Sequence, residues 1–291
     1  MRLPRTLVAL VAASLLAPAL AAAGDTLHFA HEDERYLRPG QVAGGGAFLP
    51  TGVSPSRPTP VIVLLHGTNA RGELHVWLGG AGRDLRSLAE SLVVSGLVEP
   101  FVLAAPSQTR AASLPRRLWS GFDLSRFSVD LRGALAGRVT IDASRVYLVG
   151  HSGAGCNPNG GLASAFSPGL ALRPAALIAI DPCLDRRMGI ALASHSPDIP
   201  LWMFWQTDVW RRDMFGWALA SSTREAPWQV RTLTDLGSNP HDAIVPLAFE
   251  RLARELLSVA PDAPAPERIV DPVAATAPTG ASWNDSCDSN G

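Results

Sequence analysis

Arg145-Val146-Tyr147-Leu148-Val149-Gly150-His151-Ser152-Gly153-Ala154-Gly155 is the stretch on which the reading of this chain turns. Val146 to Val149 have the composition of a strand buried on both faces, and the run stops at a serine set among glycines. Ala163 to Phe166 then continue as a helix. A nucleophilic hydroxyl has to project where a substrate carbonyl can reach it, and a tight strand-to-helix turn does this. Flanking residues without a Cβ make room for the turn. Ser152 is therefore the candidate nucleophile. Its pattern is G-x-S-x-A followed by Gly155, one methyl group away from G-x-S-x-G, and Ala154 is still small enough for close packing of helix on strand.

Outward from this turn, strands and helices alternate. Val61 to Leu65 reads as a strand, and Asp84 to Ser95 as a helix with Leu85, Leu88, Leu92 and Val93 on one face. Phe101 to Ala105 reads as a strand and Val129 to Ala136 as a helix. Beyond the serine, Ala175 to Ile180, Leu201 to Trp205 and Gln229 to Thr234 are strands, and a closing helix runs from about Asp242 to Ser258. Upstream, Thr26 to Ala30 and Glu34 to Leu37 fit short strands, while Gly44-Gly45-Gly46 and the proline-rich Pro50 to Pro60 break regularity. Such alternation predicts an α/β fold: a mostly parallel twisted sheet with helices on both faces, whose ligands bind at the carboxyl ends of the strands.

Composition narrows the function classes. The 291 residues are 47% hydrophobic and 18% charged, enough for one large core over residues 24–260. A net charge of −1 gives no pull toward nucleic acid or an anionic membrane. The start reads as a secretory signal peptide over residues 1–23: Arg2 and Arg5, an apolar stretch from Leu7 to Leu16, then small residues up to Ala23. That stretch is short for a bilayer and no second one follows, so the mature chain is expected to be secreted or periplasmic with no membrane span. Export permits disulfides, and Cys156 with Cys183 is the expected pair, which leaves Cys287 over. Residues 261–291 are rich in Pro, Ala, Asp and Ser without apolar periodicity and are expected to be a disordered tail.

A serine attacks only if a base takes its proton, and the base needs a third group to hold its tautomer. Of seven histidines, His241 is best placed, in a loop after the last strand and at the start of the last helix. His151 lies within the serine turn, and His66 ends a strand where it is expected to order a loop. For the acid, Asp208 follows the Leu201 strand and gives the chain order Ser, Asp, His, while Asp181, at the end of the strand after the serine, is its rival. The oxyanion would be held by backbone N–H groups: that of Gly153, at a helix start, and that of Thr68 in Leu65-His66-Gly67-Thr68-Asn69. No zinc-type Cys/His spacing and no phosphate-cradling G-x-x-x-x-G-K-[ST] occurs, and a chain with no lysine has no lysine base, so no cofactor or metal is implied.

As a set, the strand ending in His66-Gly67, the turn from Gly150 to Gly155, and the late Asp208 and His241 resemble the α/β-hydrolase superfamily over about residues 60–258. The resemblance implies a Ser-His-Asp hydrolase working through an acyl-enzyme, loosely similar among exported members to feruloyl esterases and polyester depolymerases. Only Pro182 to Pro200 separate two strands where superfamily members often insert a cap, which leaves room for one helix and no large cap domain. An open cleft suits a small-molecule or polymeric carboxylic ester as substrate. Trp210 and Trp119 are candidate substrate-binding residues, whereas Trp202 and Trp217 fit core packing. A serine peptidase with the same triad and a non-catalytic binding protein of this fold are the other readings.

Overall fold

Along Val61-Ile62-Val63-Leu64-Leu65 every side chain is buried, and successive residues enter different cores. Val61, Val63 and Leu65 join one apolar cluster, while Ile62 and Leu64 join the other. A strand whose side chains alternate faces can do this only inside a sheet covered on both sides. The computed structural model describes residues 24–31, 43–67, 77, 84–108, 119, 122–155, 157, 160–166, 172–182, 199–206 and 228–259.

Within them run β1 (Asp25–Phe29), β2 (Ala43–Leu49), β3 (Pro58–Leu65), α1 (Leu85–Val94), β4 (Val102–Gln108), α2 (Leu124–Ala134), β5 (Thr140–His151), β6 (Ala176–Ile180), β7 (Leu201–Gln206), β8 (Trp228–Leu233) and α3 (Pro240–Leu257). The sheet order is β1-β2-β4-β3-β5-β6-β7-β8. From β4 to β8 every pairing is parallel, and β1 and β2 add an antiparallel edge. On one face, α1 contributes Leu85, Ala89 and Leu92, and α3 contributes Ile244, Ala248, Phe249 and Leu252, spaced for one helical stripe. On the other face lie Leu124, Phe127 and Leu131 of α2. Aspartates open the first two helices: Asp84 accepts from the N–H of Arg86, and Asp123 from that of Arg126.

Three local readings are corrected. The glycines Gly44 to Gly46 do not interrupt regular structure but lie inside β2, where aromatic rings occupy the space that side chains on Gly45 and Gly46 would fill. A Cβ on Gly46 would stand 2.7 Å from Cζ2 of Trp77, and one on Gly45 would collide with the ring of Phe29. The helix expected from Val129 begins at Leu124, where its cap Asp123 places it. The helix expected after the serine is two short 3₁₀ segments among the described residues, Ser152–Gly155 and Gly161–Phe166. The strand expected at Glu34 to Leu37, residues 1–23, the tail 261–291, the Pro182 to Pro200 connection beyond Pro182 itself and before Ile199, and all three cysteines lie outside the described residues. Among the described residues no helix is long and apolar enough to cross a membrane.

Phe249 is fully buried and packs on Phe101 with ring centroids 6.3 Å apart, whereas Leu247 on the same helix is exposed. Phe249→Ala is expected to cost about 3–5 kcal/mol of unfolding free energy by urea titration. Leu247→Ala is expected to stay within about 0.5 kcal/mol. Equal losses from both would mean that α3 does not bury this face.

Candidate active site

Parallel register brings the ends of β5 and β6 side by side: His151 pairs with Ile180, so Ser152 and Asp181 are the next residues of two neighbouring strands. Both leave the strand through the left-handed region, with φ of 50° at Ser152 and 41° at Asp181. Non-glycine residues adopt such angles only where the surroundings hold them there, and such strain gathers at functional sites. Ser152 is half-buried, and Gly153, Ala154 and Gly155 behind it are buried. A Cβ on Gly155 would lie 2.5 Å from Cβ of Pro182, so the turn after Ser152 packs directly on the residue after Asp181.

His241 reaches this rim from α3. Asn239 caps the helix by accepting from the N–H of Asp242, and Pro240 fills the first helical position, where a missing N–H costs nothing. Nδ1 of His241 lies 2.5 Å from Oδ2 of Asp181. A carboxylate can only accept, so Nδ1 is the donor of this bond. The Asp181 side chain is 0% exposed and that of His241 29% exposed. The imidazole thus supplies a strong, charge-assisted hydrogen bond to a carboxylate removed from water.

Two further imidazoles back this pair. His151 stacks on His241 with ring centroids 4.7 Å apart, and its Nε2 donates to the backbone carbonyl of His241 at 3.2 Å. Burial, helped by the nearby His241, pushes its pKa down to about 3. His66 donates from Nδ1 to the carbonyl of Gly67 at 2.7 Å, and burial lowers its pKa to about 4. Gly67 itself lies against the serine turn: a Cβ there would stand 2.8 Å from Cβ of Ser152 and 3.3 Å from the carbonyl oxygen of His151. The segment leading into the expected oxyanion loop therefore touches the nucleophile's backbone, and only glycine permits that approach.

No protein-family model matches this sequence, and no curated protein matches it. Solved structures do resemble its fold. The feruloyl esterase module from Clostridium thermocellum, complexed with sinapinate, superposes with a TM-score of 0.56 at 10% identity, covering 80% of this chain and 88% of that one. An S-formylglutathione hydrolase from Agrobacterium tumefaciens superposes with a TM-score of 0.53 at 14% identity, over 81% of this chain and 96% of that one. Thermogutta terrifontis esterase 2, phosphoramylated by tabun, gives 0.52 at 13% identity, over 84% of this chain and 100% of that one. This chain has the α/β-hydrolase fold.

Within that fold the residues expected from sequence fare differently. Ser152, Gly153 and His241 lie on the carboxyl rim of the sheet. Thr68, Asp208 and Trp210 lie outside the described residues. The carboxylate on Nδ1 of His241 belongs to Asp181, so the geometry favours the rival of Asp208: β6 adjoins β5, and its last residue lies beside the serine turn. Gly153 is the second residue of a four-residue 3₁₀ segment that Ser152 begins, so its N–H is a donor of a tight turn and not of an α-helix N-terminus. Trp119, expected to touch substrate, is 0% exposed and belongs to the core; its indole N–H donates to the carbonyl of His66 at 2.8 Å. Among the described residues no group of three His, Cys, Asp or Glu side chains is placed to hold a metal ion. A separate open cavity of about 370 Å³, lined by Asp25, Thr51, Val53 and Arg138 among others, lies at the amino ends of the parallel strands, on the rim opposite Ser152.

The two buried imidazoles set a pH dependence of stability. Unfolded, both titrate near 6.5; folded, they hold out to about 4 and about 3. Below pH 6.5 the unfolded chain therefore takes up protons that the native state refuses, so stability present above pH 6.5 is lost on acidification. Urea titrations at pH 7 and pH 5 are expected to differ by a few kcal/mol, and His151→Phe to reduce that difference. A curve equally steep in His151→Phe would show that His151 is not held neutral.

Proposed function

We propose that this chain is an exported serine hydrolase that cleaves carboxylic esters through Ser152, His241 and Asp181. The observation that carries the reading is the fully buried carboxylate of Asp181 on Nδ1 of His241, one strand away from a serine held at positive φ. A histidine oriented in this way has one nitrogen fixed as a donor and the other left basic, which is what a serine nucleophile requires of its partner.

In the proposed cycle, Nε2 of His241 takes the proton of Ser152 as Oγ attacks the ester carbonyl. Asp181 stabilises the imidazolium that forms, remaining ionised itself. The N–H of Gly153, together with that of Thr68, receives the oxyanion. The tetrahedral intermediate collapses as His241 returns its proton to the leaving alcohol, and an acyl-serine ester remains. Water activated by His241 then attacks that ester, releasing the acid and restoring Ser152. A base that already carries a proton cannot accept that of Ser152, so turnover is expected to fall as pH is lowered. Esterases among the similar folds support ester over amide substrates, and the organophosphorus adduct of Thermogutta terrifontis esterase 2 supports a phosphonate probe. The leader-like residues 1–23 support export.

A fluorophosphonate is expected to label the wild-type chain rapidly, and Ser152→Ala to abolish both labelling and p-nitrophenyl ester hydrolysis. Asp181→Asn is expected to lower kcat by about 10²- to 10⁴-fold, because the amide stabilises the wrong tautomer. Asp208→Asn is expected to stay within about tenfold of wild type, since in this reading the carboxylate on Nδ1 of His241 is that of Asp181. Labelling that persists in Ser152→Ala would overturn the nucleophile, and a larger loss in Asp208→Asn than in Asp181→Asn would return the acid's role to Asp208.

A further inference from the structure

Trp119 stands out among the buried residues of this rim. It is fully buried yet has a φ of 60°, an angle that a bulky side chain takes up only under constraint. Its contacts join two segments of backbone. The indole Nε1–H donates to the carbonyl of His66 at 2.8 Å, and the two rings pack with centroids 4.7 Å apart. Its own carbonyl accepts from Phe122 at 3.0 Å and from Gly161 at 3.3 Å. Gly160 packs so closely on that carbonyl that a Cβ there would collide with it. Trp119 therefore ties the end of β3 to the 3₁₀ segment that follows the serine turn.

The peptide between His66 and Gly67 is planar and trans, so fixing its carbonyl also fixes the direction of the Gly67 N–H and the position of the Gly67 Cα. That Cα is the atom seated against Ser152, where a side chain would already be 2.8 Å from the serine Cβ. A small displacement of this peptide is consequently felt at the nucleophile and at the serine turn that carries the Gly153 N–H. Oxyanion stabilisation depends on donors held in place before charge develops, and a displacement of about 1 Å can cost 10²-fold in rate.

We propose that Trp119 is a positioning residue for the Gly67 peptide and the serine turn packed against it, acting on turnover through the His66 carbonyl and not through contact with substrate; this rests on the ester-hydrolase reading given above. Trp119→Phe keeps an aromatic ring in the core and removes the donor. It is expected to lower kcat and the rate of fluorophosphonate labelling by about 10- to 100-fold, with KM within about twofold and the pH profile unshifted. Replacing residue 119 with benzothienylalanine, which exchanges the indole N–H for sulfur at nearly the same ring outline, is expected to do the same and guards against a phenylalanine variant that does not fold. A folded variant with wild-type kcat and labelling rate, whatever its melting temperature, would overturn the proposal, and so would a rise in KM at unchanged kcat, the signature of a substrate contact. Wild-type labelling and its loss in Ser152→Ala report on the triad, whereas the ratio of variant to wild type reports on the tie, so the two readings fail separately.

Discussion

The hydrogen bond between Asp181 and His241 ties the start of the last helix to the end of the strand beside the serine turn. An ionised carboxylate with no exposure to water has to be compensated where it sits, and the directed N–H of an imidazole provides that. The demand reaches far back into the chain. His241 has to arrive over the end of β6, which requires α3 to begin where Asn239 caps it and Pro240 sets its first turn. The helix in turn is held against the sheet by Ile244, Ala248, Phe249 and Leu252. A side-chain contact 60 residues long in sequence thus fixes the angle at which the last helix meets the sheet.

Around this pair the structure uses neutral imidazoles as backbone clamps. His151 donates to the carbonyl of His241 and His66 to that of Gly67, each next to the serine turn or the loop beside it. An imidazole suits this role because its ring packs like an aromatic side chain and its N–H reaches a carbonyl, but only while it stays uncharged. Burial enforces that condition. Of the three rings, His241 is the one with substantial exposure, and so the one able to exchange protons with a bound molecule.

Much of this arrangement could be read from sequence because the relevant signals are local. A β-branched apolar run ending in Gly-His-Ser-Gly predicts both a buried strand and an exposed turn, and β5 followed by Ser152–Gly155 fits both. His241 was legible from its place after the last strand and before the last helix. The acid was not, because Asp181 and Asp208 each follow a strand and each lie between Ser152 and His241 in order. Strand adjacency, a long-range property, separates them. One local signal favoured Asp181: it directly terminates Ala176–Ile180, five residues buried without interruption, so an acid there had to be buried and paired. For Trp119, composition could not distinguish a pocket wall from a core tie, since an aromatic ring serves either. The glycines of β2 misled because their role is to admit the rings of Phe29 and Trp77 and not to turn the chain.

The positive φ angles show where the fold concentrates strain. Among the described residues four non-glycine residues have such angles: Ser152 and Asp181 directly follow β5 and β6, Trp119 is tied to the end of β3 through the His66 carbonyl, and Asp235 lies on the same rim in the connection from β8 to His241. Each costs on the order of 1–3 kcal/mol and persists only where neighbours over-determine it. The neighbours here are the buried strands β3, β5 and β6, whose parallel ladders fix the backbone up to the last residue before each turn. A rigid sheet on this side allows abrupt turns on the next residue, and those turns set the hydroxyl of Ser152 and the carboxylate of Asp181 into backbone directions that a relaxed loop would not hold. Core stability and site geometry are therefore coupled through the strand ends.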